Sequence, residues 1–325
     1  MTKIYLYYSL TILLLGLTVS NLVNSQPNTP WPATLSIPKP EPDTCITKIK
    51  AGSFDLKCDG LLFVLHVPSI CLKKACGLIV DVHGWQMSGD LQDYYTNISK
   101  LGGDAGYIVV NPTANRTLYG RSWSYLGDND SQIFSIMERV KKVFHVMEER
   151  VHITGFSQGA GMTWRFICKY PHYIASAAPI GFGAGDPINF EEPVRIRKFK
   201  NCFNQQIDIL YAHGKNDGIV DYSGALITVK QIGKEWNMNK AKVISKDDNH
   251  QRVSFTNPEG TTFEFISYDW ETAFPVSLNS RVVSGSNLKG HCFPGVGNFI
   301  GCGKDTSFHW GEEVVKFFLE HPKKK

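Results

Sequence analysis

A serine with a glycine two residues before it and another two residues after it is the feature of this sequence that most directly indicates chemistry. Residues 155–159 (GFSQG) join the apolar residues 151–154 to the helical pattern of residues 159–170. On a sharp strand-to-helix turn the serine is strained, and glycines at those two positions remove side chains that would collide. A phosphate-binding turn would need GxGxxG or Gly-Lys-Ser, which the segment lacks. The pattern therefore predicts that Ser157 is the nucleophile of a hydrolase.

A serine hydroxyl is a weak nucleophile at neutral pH, so Ser157 requires a general base and an acid that orients the base. In enzymes with this kind of turn, the chain order is serine, then aspartate or glutamate, then histidine. Asp217 follows the predicted strand 206–212, at the sheet edge where catalytic loops gather. Asp221 is the alternative, although its position is typical of a surface carboxylate. The sequence favours Asp217.

The histidines that follow Asp217 are His250, His291, His309 and His321. The pattern places His250 in a polar turn before a strand and His321 at the solvent-facing end of the last helix. His291 lies in a loop rich in glycine and proline, from which a histidine can reach back to the serine. His309 begins an amphipathic helix. Spacing alone leaves His291 and His309 both open as the general base.

The negative charge of a tetrahedral intermediate requires backbone N–H donors. With this kind of turn, one donor belongs to the residue after the nucleophile, here Gln158, and the other lies in the loop after an early central strand. Residues 81–85 (DVHGW) fit that loop, so the N–H of Trp85 is the predicted second donor. His83 precedes Ser157 and is therefore out of order for the base; we interpret it as structural.

Strand and helix signals alternate from residue 45 onward, which favours an α/β fold with a mostly parallel central sheet flanked by helices. Short apolar segments predict strands, and apolar residues at helical spacing predict helices. Proline at 112 is expected to end the third strand. The predicted strands are 60–68, 77–82, 107–111, 151–154, 175–180, 206–212 and 261–268, and the predicted helices are 91–101, 131–150, 159–170 and 310–320.

Residues 1–25 are typical of a cleaved secretory signal peptide, with Lys3 before an apolar run and small residues before Gln26. The apolar run is about 15 residues, whereas a membrane-spanning helix needs roughly 20. Residues 26–44 are a proline-rich arm. Residues 45–325 are predicted to form a single catalytic domain. We therefore expect a secreted, extracellular protein without a membrane anchor.

Eight cysteines in an exported chain favour disulfides, and Cys292 and Cys302 share one glycine-rich loop, which predicts a bridge between them. No CxxC pair is present, so zinc is not expected. We also predict no other metal and no cofactor. The N-x-S/T sequons at Asn97, Asn115 and Asn129 would accept glycans in a eukaryotic host. The formal charge of +4 is small, so no nucleic-acid partner is predicted.

Several of these segments together resemble one known family. They are residues 82–85, 105–112, Trp123 with 128–130, 151–162, 170–171 with 177–181, 213–214 with Asp217, 290–295 and 317–322. On these segments the chain resembles the secreted polyhydroxybutyrate depolymerases, feruloyl esterases and acetylxylan esterases, over residues 60–322. The resemblance implies an α/β-hydrolase fold and hydrolysis of carboxylic esters, including polymeric ones, through an acyl-enzyme. It also places the general base at His291, because the family's loop reads glycine, histidine and then Pro-Gly.

The chain departs from that family at Trp85, where a cysteine or another small residue is usual, and at Gln158, where alanine is commoner. Residues 272–288 also form a longer segment than the resemblance leads us to expect. Two alternatives to an esterase are a catalytically silent binding protein on the same fold and a serine peptidase. The intact serine, aspartate and histidine argue against the first, and the chain has no room for the propeller domain that accompanies many such peptidases.

Overall fold

The structure, a computed structural model, describes residues 35–118, 120–124, 127–184, 188–190, 192–194, 205–272, 277–279 and 284–324. The predicted signal peptide, residues 1–25, and the first part of the predicted arm lie outside these residues. The described residues belong to one compact unit, Pro32–Lys325.

Strands and helices alternate along the chain, as the pattern of apolar residues predicts. The strands are β1 (Gly52–Cys58), β2 (Leu61–Val67), β3 (Gly77–Val82), β4 (Tyr107–Thr113), β5 (Arg116–Thr117), β6 (Gly120–Arg121), β7 (Val151–Phe156), β8 (Ser176–Ile180), β9 (Ile188–Phe190), β10 (Glu192–Val194), β11 (Asp208–Gly214), β12 (Lys242–Lys246), β13 (His250–Thr256), β14 (Thr262–Tyr268), β15 (Ser277–Asn279) and β16 (Ser284–Asn287). The helices are α1 (Gly89–Thr96), α2 (Ile98–Asp104), α3 (Asn129–Phe144), α4 (Gln158–Lys169), α5 (Tyr222–Glu235) and α6 (Trp310–Glu320).

Ten of the strands form one sheet in the order β1-β2-β4-β3-β7-β8-β11-β14-β13-β12. The six central strands, from β4 to β14 in that order, pair in parallel, and the two strands at each edge are antiparallel. Strands β3, β7, β8 and β11 are buried along their whole length, as parallel strands covered by helices are. The predicted α/β fold with a mostly parallel central sheet is confirmed.

Strand β4 does not end before Pro112, as the sequence led us to expect, but continues to Thr113. Its pairing with β3 stops at Val110, while its pairing with β2 continues to Thr113. Pro112 therefore lies where β4 has a partner strand on one side only, and a residue without an N–H group is tolerated there.

Two of the predicted helices have different bounds in the structure, for the same reason. Residues 91–101 are not one helix, because Asn97 has a left-handed φ of 53° and separates α1 from α2. The helix predicted over residues 131–150 ends at Phe144, because His145 has a φ of 52°. A single left-handed residue redirects the chain, and the apolar spacing of the sequence does not reveal it.

Three disulfides are placed between described cysteines. The predicted bridge between Cys292 and Cys302 is confirmed, with a Cα–Cα distance of 5.1 Å. The structure also contains the bridges Cys45–Cys58 and Cys71–Cys76, and Cys168 is disulfide-bonded. Within the part of the chain that the structure describes, no cysteine is free, and no helix combines the length and apolar composition needed to cross a membrane.

The described part of the proline-rich arm lies against the domain. The carbonyl of Leu35 accepts a hydrogen bond from the N–H of Ala75 at 3.0 Å. The carboxylate of Asp43 is 2.8 Å from the guanidinium of Arg139 on α3. These contacts tie the last ten residues of the arm to the domain.

A carboxyl group, Asp81, is completely buried at the end of β3 beneath α1. It accepts hydrogen bonds from Gln92 Nε2 at 2.8 Å and from Thr96 Oγ1 at 2.7 Å. Burial raises the pKa of Asp81 from 3.8 to about 7. The folded state therefore binds a proton more tightly than the unfolded state does, and this group removes stability as the pH rises from about 4 to about 7.

We expect Asp81→Asn to stabilise the protein at pH 8 and to leave its stability nearly unchanged at pH 4. Each unit of pKa difference corresponds to about 1.4 kcal/mol, so the gain at pH 8 is on the order of 4 kcal/mol at most. The new amide can be accommodated, because Gln92 Oε1 has no hydrogen-bond partner among the described residues and can accept from it. Urea unfolding at both pH values measures the effect, with the exposed Asp90→Asn on α1 as the control. Equal pH slopes in the wild type and Asp81→Asn would contradict it.

Candidate active site

Ser157 is the single residue between the end of β7 and the start of α4. Its φ of 53° and ψ of −118° are strained for a residue with a side chain. A Cβ on Gly159 would collide with the carbonyl oxygen of Val82, and one on Gly155 would lie 2.5 Å from the carbonyl oxygen of Gly159. The two glycines are therefore needed for the strand and the helix to meet at this angle, and the turn holds Ser157 half-buried at the end of the central strands.

Asp217 and His291, which are far apart in the sequence, are in contact. His291 Nδ1 is 2.6 Å from Asp217 Oδ2, and both side chains are buried. The loop before His291 is held against the turn after β11, because the N–H of Gly218 donates to the carbonyl of Leu288 and the N–H of Gly290 donates to the carbonyl of Asn216. Backbone pairing between two loops thus fixes the aspartate and the histidine relative to each other.

The Asp217–His291 pair lies beside the serine turn. The N–H of Ser157 donates to the carbonyl of Ile180 at 2.9 Å, and the next residue, Gly181, lies against the imidazole of His291. A Cβ on Gly181 would be 3.4 Å from His291 Cε1. The ring of Phe156 also contacts His291, with centroids 4.7 Å apart. The structure therefore brings the three sequence-predicted residues together at one end of the sheet.

Comparison with known proteins gives related enzymes. The family described as "Phospholipase/Carboxylesterase" matches residues 129–256. Feruloyl esterase B of Talaromyces funiculosus is 24% identical over 272 residues, which are 77% of this chain and 72% of that protein. A bifunctional acetylxylan esterase/xylanase of Neocallimastix patriciarum is 25% identical over 150 residues, 45% of this chain. The matched part spans only 20% of the length of that bifunctional relative.

A solved structure shows the same fold. The acetyl xylan esterase from Aspergillus awamori superposes with a TM-score of 0.54 at 16% identity, over 69% of this chain and 92% of that one. The chain has the α/β-hydrolase fold, and its similarity to these esterases indicates a carboxylic ester hydrolase.

In this esterase Asp217 is surrounded by groups that favour its charged form. Its Oδ1 accepts from the N–H groups of Ile219 and Val220 at 2.8 and 2.7 Å, and its Oδ2 is 3.4 Å from His213 Nε2. Burial favours the neutral acid, but His291 and His213 hold the pKa of Asp217 well below its usual range. Asp217 is therefore ionised at neutral pH and can orient an imidazole beside it.

The other candidates for the acid and the base make contacts elsewhere in the structure. Asp221 is the N-cap of α5, and its side chain accepts from the N–H of Ser223 at 2.7 Å. His309 stands at the N-terminus of α6 and packs against Gly295. His250 starts β13, with its Nδ1 2.7 Å from Asp247 Oδ2, and His321 Nδ1 is 2.8 Å from the carbonyl of Phe317.

The predicted oxyanion donors flank Ser157. Gln158 is the first residue of α4, where backbone N–H groups have no partner within the helix. Gly84 approaches from the other side, since a Cβ on it would be 3.3 Å from the Cβ of Ser157. The peptide that follows carries the N–H of Trp85. The Gly84–Trp85 peptide is therefore next to the serine turn.

Sequence reasoning assigned no role in the site to three side chains around it. His213 lies beside Asp217, Trp123 packs on His83, and the side chain of Gln158 reaches the Trp123 backbone. The sequence does not indicate these contacts, whose two partners are 4 to 40 positions apart along the chain. Among the described residues, no group of three or more histidine, cysteine, aspartate or glutamate side chains could hold a metal ion.

Proposed function

We propose that the protein is a secreted serine esterase that hydrolyses carboxylic esters through an acyl-enzyme on Ser157, with His291 as general base and Asp217 as its orienting acid. The observation that carries this proposal is the 2.6 Å contact between His291 Nδ1 and Asp217 Oδ2 beside the strained serine turn. A carboxylate on one imidazole nitrogen leaves the other nitrogen as a base directed to the nucleophile.

In the first half-reaction, His291 Nε2 takes the proton of the Ser157 hydroxyl as Oγ attacks the ester carbonyl carbon. The carbonyl oxygen becomes an oxyanion that the N–H groups of Gln158 and Trp85 stabilise. The bond to the alcohol oxygen then breaks, and His291 gives that oxygen the proton. In the second half-reaction, water attacks the acyl-enzyme by the same route and releases the acid, which restores the Ser157 hydroxyl.

The substrate class that we propose is an acetyl or feruloyl ester of plant polysaccharide, because the relatives reported above are a feruloyl esterase and an acetylxylan esterase. Trp85, which carries the proposed second oxyanion donor, is partly exposed, so its indole would offer a flat apolar surface to a bound ester. An aromatic acyl group or a sugar ring would pack on such a surface.

The test is a fluorophosphonate probe followed by a substrate panel. The probe should label Ser157, and mass spectrometry should locate the adduct on the peptide that contains it. Methyl ferulate, acetylated xylan, hydroxybutyrate oligomers and p-nitrophenyl esters of graded length then define the acyl group. An unlabelled Ser157 would favour a binding protein on this fold, and hydrolysis of hydroxybutyrate oligomers alone would move the substrate to polyesters.

If the chain passes through a eukaryotic secretory pathway, we expect only some of the three sequons to carry a glycan. Asn97 and Asn115 are exposed, so their amides can accept a glycan. Asn129 is only 9% exposed, its Oδ1 accepts from the N–H of Ser124, and its Nδ2 donates to Gln132. We expect glycans on Asn97 and Asn115 and none on Asn129.

Peptide mass spectrometry of the secreted protein before and after deglycosylation measures this occupancy. The variants Asn97→Gln and Asn115→Gln should each remove one glycan, and Asn129→Gln should leave the mass of the glycans unchanged. The same spectra should show a mature N-terminus near Gln26. A glycan on Asn129 would contradict the role of its side chain in ordering the start of α3.

A further inference from the structure

We propose that His83, Trp123 and the side chain of Gln158 are positioning residues that hold the two oxyanion donors at a fixed separation. The proposal rests on the esterase function and the oxyanion donors proposed above, and it concerns what sets the geometry of the site. Each link is a hydrogen bond between buried groups, and together they connect one side of the serine turn to the other.

The first link fixes the Gly84–Trp85 peptide. His83 is completely buried; its Nε2 lies 2.9 Å from the N–H of Ala114 and its Nδ1 lies 2.6 Å from the carbonyl of Gly84. Because Nε2 accepts a hydrogen bond, Nδ1 carries the hydrogen and donates to Gly84. Burial lowers the pKa of His83 to about 4, so this neutral form persists at neutral pH. A peptide is planar and trans, so fixing the Gly84 carbonyl also fixes the direction of the Trp85 N–H.

The second link joins this peptide to a loop on the other side of the turn. Trp123 is 2% exposed, and its indole Nε1–H donates to the carbonyl of His83 at 2.8 Å. Its ring also packs on the imidazole of His83, with centroids 4.8 Å apart. Trp123 therefore contacts both the backbone carbonyl and the imidazole ring of His83.

The third link returns to the residue after the nucleophile. The side chain of Gln158 accepts at Oε1 from the N–H of Trp123 at 2.9 Å, and its Nε2 donates to Ser122 Oγ at 2.8 Å and to the carbonyl of Trp123 at 3.3 Å. Gln158 is 2% exposed. Gln158 thus supplies one proposed donor through its backbone N–H. Its side chain binds the Ser122–Trp123 loop, which holds the peptide of the other donor.

The consequence is that the two N–H donors cannot separate without breaking buried hydrogen bonds. Donors that are already in place stabilise a developing oxyanion at no cost of reorganisation, and loss of one whole donor lowers kcat by about 10² to 10³. A donor that is displaced but still present should lose part of that effect. We expect a fall in kcat of about 10- to 100-fold when a link is cut.

Trp123→Phe and Gln158→Met test the proposal, because each keeps the bulk of the side chain and removes its hydrogen bonds. Both should lower kcat on a short p-nitrophenyl ester by about 10- to 100-fold with KM within about threefold. Inhibition by an aryl trifluoromethyl ketone, which forms an oxyanion adduct with the serine, should weaken by a similar factor. Thr163→Val is the matched control, since it removes a buried hydrogen bond within α4 and should change the Tm but not kcat.

The double variant decides whether the links act together. If both single changes loosen the same arrangement, the combined loss in kcat should be close to the larger single loss rather than to their product. Unchanged kcat in both folded single variants, or multiplied losses in the double variant, would overturn the proposal. A failure of the esterase function is distinguishable, because the wild-type protein would then neither hydrolyse esters nor react with a fluorophosphonate at Ser157.

Discussion

Ser157→Ala is expected to lose ester hydrolysis by a factor of about 10⁴ to 10⁶ in kcat, because the serine, histidine and aspartate act as a unit. The variant should still fold. The contacts that hold the turn are made by the backbone of Ser157, whose N–H donates to Ile180 and whose carbonyl accepts from Gly161. Removing Oγ leaves both of these hydrogen bonds intact, so the loss should be confined to the chemistry.

The measurement is the turnover of a p-nitrophenyl ester by the purified variant, with thermal unfolding to verify the fold. Ser135→Ala is a suitable control, because Ser135 lies on α3 and its hydroxyl donates to Asp59 rather than to any group of the site. The control should keep wild-type turnover. More than about a tenth of wild-type turnover in Ser157→Ala would show that another residue is the nucleophile.

His291→Ala is expected to lose about as much activity as Ser157→Ala, whereas His309→Ala should stay within roughly tenfold of the wild type. A tenfold change corresponds to about 1.4 kcal/mol of transition-state stabilisation. The reason is the contact between His291 Nδ1 and Asp217, which gives the imidazole a fixed orientation. His309 precedes α6, where a positive charge would be unfavourable beside the helix N-terminus.

The two histidine variants are a matched pair, since both remove an imidazole from a largely buried position near the C-terminal loop. Both should be assayed on the same short ester, and their Tm values should be compared. The opposite pattern, with activity lost in His309→Ala and kept in His291→Ala, would move the general base to His309. It would leave the assignment of Ser157 unaffected.

The two departures from the resembling family have a physical interpretation in this structure. An alanine after the nucleophile could make none of the three side-chain hydrogen bonds of Gln158, so this chain stabilises its Ser122–Trp123 loop in a different way. Trp85 follows Gly84 and is only partly exposed. Both residues are the ones that the sequence predicts as oxyanion donors.

Elements with strong local patterns were predicted closely. Strand β3 and helix α6 have the bounds that the sequence indicates, because an unbroken apolar run and an amphipathic spacing are local properties. The elements that were not predicted lie at the sheet edges or on the surface. Strand β12 is exposed at every residue, and α5 follows Asp221, which the sequence presents as a rival carboxylate rather than as a helix cap.

The sequence alone predicted the serine turn from the glycines at 155 and 159. A Cβ on Gly155 would meet Gly159, which is nearby along the chain, whereas Gly159 is required by the approach of Val82 on β3. The sequence also narrowed the base to His291 and His309 and the acid to Asp217 and Asp221. Only the tertiary structure places His291 on Asp217 and makes Asp221 a helix cap. The contact between His291 and Asp217 joins loops 74 residues apart, whose approach depends on the pairing order of the whole sheet and not on any local pattern. The same holds for the link from Gln158 through Trp123 to His83.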